Sequence, residues 1–212
     1  MLIRMLRVRV MAAFVVTCGS MGTLDAQDRM PPIPAEKMTE AQRKAAAEFN
    51  QARGGTLSGP FVPLLRSPEV LSRARAMGDY LRFKSVLPPR LSEFVILITA
   101  RHWTQNYEWD AHYQLALKGG LREDIARAVA EGRRPERMAE DEEILYDFCT
   151  ELHQNKSVSD ATYARALQAF GEQGIIDAIG ISGYYTFLAM VLNTARTPVP
   201  AGRAPGLLPL PR

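Results

Sequence analysis

Cysteine is almost absent from this chain, which has only Cys18 and Cys149 among its 212 residues. Two cysteines cannot build a disulfide-rich scaffold or a cysteine-rich zinc module, so both classes are excluded. No uninterrupted apolar run reaches the roughly 18 residues that cross a bilayer, which argues against a membrane span. No stretch alternates between apolar and polar residues with a period of two, so no β-strand is predicted.

The sequence also lacks the common signatures of metal and nucleotide sites. It has no His-Glu-x-x-His zinc pattern, no second group of ligands, no Gly-x-Ser-x-Gly nucleophile elbow and no glycine-rich phosphate loop. We therefore expect neither a metal nor a cofactor. Basic residues are not interleaved with aromatic ones as in nucleic-acid-binding proteins, so no nucleic-acid partner is predicted.

The first 26 residues have the pattern of an export signal. Three arginines precede a short apolar core at 10–16, a polar stretch follows, and residues 24–26 (LDA) can precede cleavage before Gln27. An uncleaved N-terminal helix is the alternative. This leader carries two of the three net positive charges, so the mature chain is nearly neutral. We expect export to the periplasm, where Cys149 is either buried in a helix or paired between chains.

Apolar residues recur at helical spacing through the rest of the chain and predict an all-α, single-domain fold of seven or eight helices. The helical domain is predicted over 39–196. It begins at Thr39, which can form a capping box with Gln42. The predicted helices lie at 39–52, after Pro68, from Pro88-Pro89 to a weak point at 104–106, from there to Gly119-Gly120, and at 121–130, 141–154, 160–170 and 175–195.

Proline-rich segments flank this domain. Residues 27–38 are expected to be extended. Residues 197–212 form a tail that cannot be helical, because proline lacks the backbone N–H that a helix needs. The tail either lies along a neighbouring subunit or is disordered.

Ionisable and aromatic side chains concentrate in residues 93–112, which read EFVILITARHWTQNYEWDAH. Glu108 and His112 are four residues apart, so on one helix they share a face and lie within hydrogen-bonding reach. A carboxylate beside a histidine orients the ring and raises its affinity for a proton, as a general acid or base requires. Glu93, in the preceding apolar helix, is a second candidate carboxylate. A purely structural pair is the alternative, because this spacing is common.

The segment 91–129 resembles the carboxymuconolactone decarboxylase family, whose fold is shared with the alkyl hydroperoxidase D-like (AhpD-like) proteins. With the order of the helices, the resemblance extends over about 37–195. The features that carry it are Glu93 in an apolar helix, Ala100-Arg101, Tyr107-Glu108-Trp109, His112, the helix end from Ala116 to Gly120 and the helix start from Leu121 to Ile125.

The peroxidase branch of that family carries Cys-x-x-Cys-x-x-x-His, with a glutamate twelve residues before the first cysteine. Here Glu93 and His112 stand at the glutamate and histidine positions, but Gln105 and Glu108 stand at the cysteine positions. Thiol peroxidase chemistry needs one thiolate to attack the peroxide and a second thiol to resolve the product. The resemblance therefore favours the decarboxylase branch and disfavours a thiol peroxidase.

The decarboxylase branch implies a cofactor-free carboxy-lyase that acts on a small carboxylated or lactone-type metabolite. Such a reaction needs a proton donor and a cation near the carboxylate or the developing oxyanion. We predict that His112 transfers the proton, that Glu108 orients it and that Glu93 extends the relay. Arg101 is predicted to bind the anion, with a surface ion pair as the alternative. Substrate contacts are also predicted for Trp103, Gln105, Tyr107 and Trp109, with core or subunit packing as the alternative for the aromatic residues.

A non-enzymatic protein that binds a small molecule on the same scaffold is the second hypothesis, and in it His112 is structural. The catabolic decarboxylase is cytoplasmic, so an exported relative is expected to act on a different substrate. The resemblance also implies a homo-oligomer, either a trimer or a multiple of one.

Overall fold

The computed structural model describes residues 28–200 and 206–209. Every regular element in these ranges is helical, so the predicted all-α fold is confirmed. The predicted leader, residues 1–26, lies outside the described ranges. In chain order the α-helices are α1 (Glu40–Arg53), α2 (Phe61–Leu64), α3 (Pro68–Phe83), α4 (Pro89–His102), α5 (Asn106–Lys118), α6 (Glu123–Ala130), α7 (Glu140–Asn155) and α8 (Asp160–Ala195).

The start of α1 has the predicted capping box. The Gln42 backbone N–H donates to Thr39 Oγ1 at 3.2 Å, and the Thr39 backbone N–H donates to Gln42 Oε1 at 2.9 Å. These two bonds satisfy N–H groups that have no partner inside the helix. The helix ends at Gly54, whose φ of 66° is in the left-handed region that favours glycine.

Helix α4 is the centre of the molecule. Every residue from Leu91 to Arg101 is buried, and the helix packs against α5, α6, α7 and α8. A helix that is apolar on all sides is stable only when neighbours surround it. Its four buried polar residues, Ser92, Glu93, Thr99 and Arg101, must therefore find partners inside the protein.

Helix α8 contains the two predicted helices, 160–170 and 175–195, which meet at a kink where Gly171 has non-helical backbone angles (φ 65°, ψ 177°). Its length and a mean hydropathy of 1.6 over an 18-residue window would suffice to cross a membrane, but 56% of that window is buried inside the protein. It crosses α3 closely, because a Cβ at Gly78 would overlap the Tyr184 hydroxyl.

Part of the tail docks on its own chain. Leu207 is buried, and its backbone N–H donates to Asn106 Oδ1 at 2.7 Å. Residues 206–209 are therefore packed against the chain's own helices rather than disordered, and contact of the tail with a neighbouring subunit stays a prediction. An apolar side chain between prolines gives it a reason to dock, because burial removes the leucine from water.

Candidate active site

A tight turn between α4 and α5 folds the segment 93–112 onto itself. Thr104 has a left-handed φ of 47°, and the Gln105 backbone N–H donates to the Ala100 carbonyl at 2.8 Å. The Gln105 side chain then caps α5, because its Oε1 accepts from the Tyr107 backbone N–H at 2.6 Å. The turn lets α5 pack along α4, so that side chains far apart in sequence meet.

His112 lies between two carboxyl groups, and all three side chains are buried. Its Nδ1 is 2.6 Å from Glu93 Oε2, and its Nε2 is 3.5 Å from Glu108 Oε2. An ionised Glu93 can only accept, so Nδ1 carries the proton of the short hydrogen bond. Glu93, on the neighbouring helix, therefore orients the ring more directly than Glu108, the residue to which the sequence assigns that role.

Glu108 faces the other side of the imidazole. Burial raises the pKa of its carboxyl above the ordinary value, and the charges of His112 and Arg82 oppose that rise. Its Oε1 is buried and has no hydrogen-bond partner among the described residues. A carboxyl with a raised pKa and an unused oxygen can hold a proton and offer it to a ligand or to Nε2.

Two tyrosines of α8 cover the ring. The Tyr185 ring meets that of His112 edge-on with centroids 4.9 Å apart, and Tyr184 meets Tyr185 at 5.3 Å. Burial raises the pKa of Tyr184 to about 12, and that of Tyr185 well above its ordinary value, so both stay neutral. The Tyr184 hydroxyl is buried without a partner among the described residues, and so it is a donor available to a ligand.

These groups border a cavity of about 190 Å³ between the end of α1, α3, α5 and α8. It contains two arginines. Arg53 is bound to Asp79, with 3.0 Å between Nε and Oδ1. The Nε of Arg82 is buried without a partner among the described residues. The other polar residues of the wall are Ser58, Tyr107, Glu108, His112, Tyr184 and Tyr185.

Arg82 is the functional candidate that the sequence does not reveal. Nothing in the local pattern marks it, since it is one of three arginines in α3. Its place beside Glu108 depends on how α3 packs against α8, which no short-range spacing encodes. It supplies the positive charge that the sequence assigns to Arg101.

The structure does not bring Arg101 to this cavity. It lies eight residues beyond Glu93 on α4, about 12 Å along the helix. Its guanidinium donates to the carbonyls of Ala130 at 3.1 Å and Leu208 at 2.8 Å, and to Thr104 Oγ1 at 2.9 Å. Neither the predicted anion contact in this site nor the alternative surface ion pair is seen for this buried side chain.

Of the four other predicted substrate contacts, only Tyr107 borders the cavity. Trp103 donates to Thr186 Oγ1 at 3.1 Å, and Gln105 donates to Asn193 Oδ1 at 2.7 Å. Trp109 is 1% exposed and belongs to the hydrophobic core, which is the alternative interpretation of its pattern. These three side chains support the turn and the helix packing and do not face the cavity.

Glu93 also borders a surface groove of about 650 Å³ on the other side of the pair, together with Arg82, Arg90 and Lys118. The hydrogen-bonded pair of Glu93 and His112 thus separates the cavity from a second opening to solvent. A proton that leaves the cavity through the imidazole has a carboxylate with access to that groove as its next acceptor.

No cysteine among the described residues borders the cavity. Cys149 is buried in α7, with its Sγ 3.8 Å from Ser182 Oγ. Burial raises the pKa of this thiol to about 12, so it is neutral and a poor nucleophile. Within residues 28–200 and 206–209, no group of three or more His, Cys, Asp and Glu side chains is arranged to hold a metal ion.

No protein-family model and no curated protein matches this chain. Solved structures match its fold. An uncharacterized peroxidase-related protein from Ralstonia eutropha JMP134, with the alkylhydroperoxidase AhpD core, is 16% identical with a TM-score of 0.65, over 82% of this chain and 92% of that one. A peroxidase-related protein from Silicibacter sp. TM1040 is 15% identical with a TM-score of 0.64, over 82% and 93%.

The debrominase Bmp8, in complex with 2,3,4-tribromopyrrole, is 13% identical with a TM-score of 0.63, over 86% of this chain and 95% of that one. The chain therefore has the AhpD-like fold. At these identities the likeness establishes the scaffold, and it does not distinguish a decarboxylase from the other activities found on it.

Proposed function

We propose that this protein is a thiol-independent acid/base enzyme, a carboxy-lyase that acts on a small carboxylated or lactone-type metabolite. One observation carries the proposal. His112 is held at 2.6 Å by Glu93, and its other side faces a buried carboxyl and a cavity that contains an arginine with an unused donor. Proton transfer to a bound anion needs this combination of an oriented imidazole, a counter-charge and a cation.

Binding is the first step. A substrate carboxylate that enters the cavity can accept from Arg82, whose Nε has no other partner among the described residues, and a substrate carbonyl can accept from the Tyr184 hydroxyl. Hydrogen bonds to a guanidinium are roughly twice as strong as those between neutral groups. Both donors are already buried before the ligand arrives, so the fold has met the cost of removing them from water.

Proton transfer is the second step. Loss of carbon dioxide breaks the bond between carbon and the carboxylate and leaves its electron pair delocalised onto the lactone carbonyl. The imidazolium of His112 donates its Nε2 proton to the carbon that receives this pair, and Glu93 stabilises the imidazolium from the Nδ1 side. Glu108, 3.5 Å from Nε2, can return a proton to it for the next turnover.

Non-enzymatic binding is the second candidate. It is favoured by the three buried polar atoms without described partners, on Arg82, Glu108 and Tyr184, which a bound ligand would satisfy whether or not it reacts. The two candidates differ in what His112 does, and this difference can be measured.

The test is a panel of carboxylated lactones and 2-oxo acids, with release of carbon dioxide and ligand binding followed for each. We expect turnover of at least one compound, abolished by His112→Gln while binding persists. His102→Gln is the matched control, because it removes a histidine that does not border the cavity. Binding without turnover in the wild type would establish the second candidate. Turnover that survives His112→Gln would contradict the acid/base role.

Export and assembly into a trimer or a multiple of one are part of the same proposal. The leader pattern supports export. Two apolar side chains support assembly, because Phe83 on α3 is 68% exposed and Ile176 on α8 is 65% exposed, and a subunit contact would cover them. Mass spectrometry of the secreted or periplasmic fraction should find an N-terminus near Gln27. A monomeric mass in light scattering would contradict the assembly.

A further inference from the structure

A second cleft, of about 110 Å³, lies at the C-terminal end of α4, between that helix, the turn after α6 and α7. On the same measure, a space of about 10–15 Å³ holds one water molecule, so this cleft has room for a small polyatomic ion. It shares no residue with the cavity beside His112. Its polar walls come from Arg101, His102, Arg133, Tyr146, Thr150, His153 and Gln154.

The charge on the walls of this cleft is positive. Arg101 is 5% exposed and forms no ion pair with a described carboxylate, and its Nε is buried without a partner among the described residues. Arg133 is exposed, and its Nε donates to Glu131 at 2.7 Å, but Glu131 does not line the cleft. Lys156 is close by, since its Nζ donates to the His153 carbonyl. A buried guanidinium without a counter-ion is costly, and an anion in the cleft removes that cost.

The hydrogen bonds of Thr99 fix which nitrogen of His153 carries the proton. The single hydroxyl hydrogen of Thr99 is donated to the Val95 carbonyl at 2.9 Å. The contact of 3.1 Å between Thr99 Oγ1 and His153 Nε2 must therefore be donated by Nε2. The proton of the neutral ring is thus on Nε2, and Nδ1 is an acceptor without a partner among the described residues.

His153 stays neutral at pH 7, because burial, and after it the neighbouring His102 and Lys156, lowers its pKa to about 4. The ring of His102 stacks on it, with centroids 4.6 Å apart. The cleft therefore presents a ligand with positive charge and with a hydrogen-bond acceptor. The arginines attract a negative oxygen, and the neutral imidazole needs a hydrogen-bond donor.

We infer that this cleft binds a small oxyanion that carries an O–H group, such as monohydrogen phosphate or a short 2-hydroxy carboxylate. Its charged oxygens face Arg101 and Arg133, and its hydroxyl donates to Nδ1 of His153. An anion without a hydroxyl would meet the arginines but would set an oxygen lone pair against the lone pair of Nδ1. The site should therefore prefer anions that carry an O–H group over anions of similar charge that lack one.

Pairs of probes that differ only in that proton test the inference. Calorimetric titration of the full chain at pH 7 compares inorganic phosphate with sulfate, and lactate with propionate. Sulfate is the more highly charged of the first pair, so charge alone would favour it. We expect phosphate to bind about tenfold more tightly than sulfate. This ratio corresponds to about 1.4 kcal/mol, the order of one hydrogen bond to a charged group. Whether phosphate or lactate binds more tightly identifies the source of the oxyanion.

Two variants complete the test. Arg133→Gln should weaken phosphate binding several-fold, while Arg73→Gln, which removes another exposed arginine paired with a glutamate, should leave it unchanged. His153→Phe keeps the stacked ring but removes the acceptor, so the preference for phosphate should disappear. Equal binding of phosphate and sulfate by the wild type, equal effects of the two arginine variants, or no binding of any probe would overturn the inference.

Discussion

Replacing Glu93 with glutamine should slow turnover without displacing the imidazole. The side-chain amide oxygen introduced by Glu93→Gln can still accept from Nδ1 of His112, so the ring keeps its orientation and its proton on the same nitrogen. What is lost is the negative charge 2.6 Å from Nδ1, which the wild type uses when the imidazolium forms. The substitution therefore separates charge from orientation.

The expected fall in kcat for Glu93→Gln can be estimated from the difference between a charged and a neutral hydrogen bond. A bond to a charged group contributes about 1.5–3 kcal/mol, and one between neutral groups about 0.5–1.5 kcal/mol. The difference, about 1–2 kcal/mol, corresponds to a fall in kcat of roughly 5- to 30-fold. Asp177→Asn is the matched control, because it neutralises another buried carboxylate that accepts three hydrogen bonds away from the cavity. It should cost stability and leave kcat unchanged.

Two measurements check this prediction. Steady-state kinetics on the substrate found in the panel gives kcat and KM for Glu93→Gln and Asp177→Asn. Nitrogen-15 spectra of labelled histidine report the proton on Nδ1 directly, and with only three histidines in the chain the signals can be assigned by substitution. A kcat unchanged in Glu93→Gln would refute the role of its charge, and an Nδ1 of His112 that carries no proton in the wild type would refute the assigned hydrogen bond to Glu93.

Three further predictions concern the same site and its supports. Because burial raises the pKa of Glu108, its contribution to stability is present at low pH and lost as pH rises through the raised pKa, so Glu108→Gln should stabilise the fold more at pH 8 than at pH 4 in urea titrations. Cys149, whose pKa burial raises to about 12, should react with thiol reagents only after unfolding, and Cys149→Ser should leave turnover unchanged. Gly78→Ala should destabilise by about 1–3 kcal/mol, because its Cβ overlaps Tyr184. Gly183→Ala, with open space at the Cβ, should be neutral or stabilising by up to about 1 kcal/mol, and thermal melts of both glycine variants measure the difference.

Local patterns predict what local forces determine. The Thr39 capping box and the stop at Gly54 depend on bonds within one turn, and both are present in the structure. The predicted division between helices 160–170 and 175–195 is also present, because the backbone of Gly171 is not helical. The second helix begins directly after Gly171, earlier than the predicted start at residue 175, and α8 packs against α4 and α7. Helical propensity is a weak guide where tertiary contacts are extensive.

In the candidate site, too, contacts within one helix can be predicted from the sequence, whereas contacts between helices cannot be predicted from local spacing. The pair formed by Glu108 and His112 is visible in the sequence because four residues span one helical turn. The shorter contact from Glu93 crosses between helices, and only the resemblance to a known family indicates it. Neither the local pattern nor the family resemblance indicates Arg82. Both favour Arg101 as the anion-binding residue, but its side chain lines the second cleft instead. The position of a residue on a helix determines which face of the helix its side chain lies on. The helices packed against that face determine which cavity the side chain lines.

The two positions at which the peroxidase branch of the resembled family carries cysteine have different environments in this chain. Gln105 caps α5 and is bound to Asn193, so its side chain is part of the support for the turn. Glu108 is buried beside His112, with one oxygen that has no partner among the described residues at the cavity. The cavity thus has a carboxyl of raised pKa where a thiol would stand, next to an imidazole that is already oriented by Glu93. A site built this way can move protons but cannot exchange disulfides, and for that reason the proposed reaction is an acid/base one.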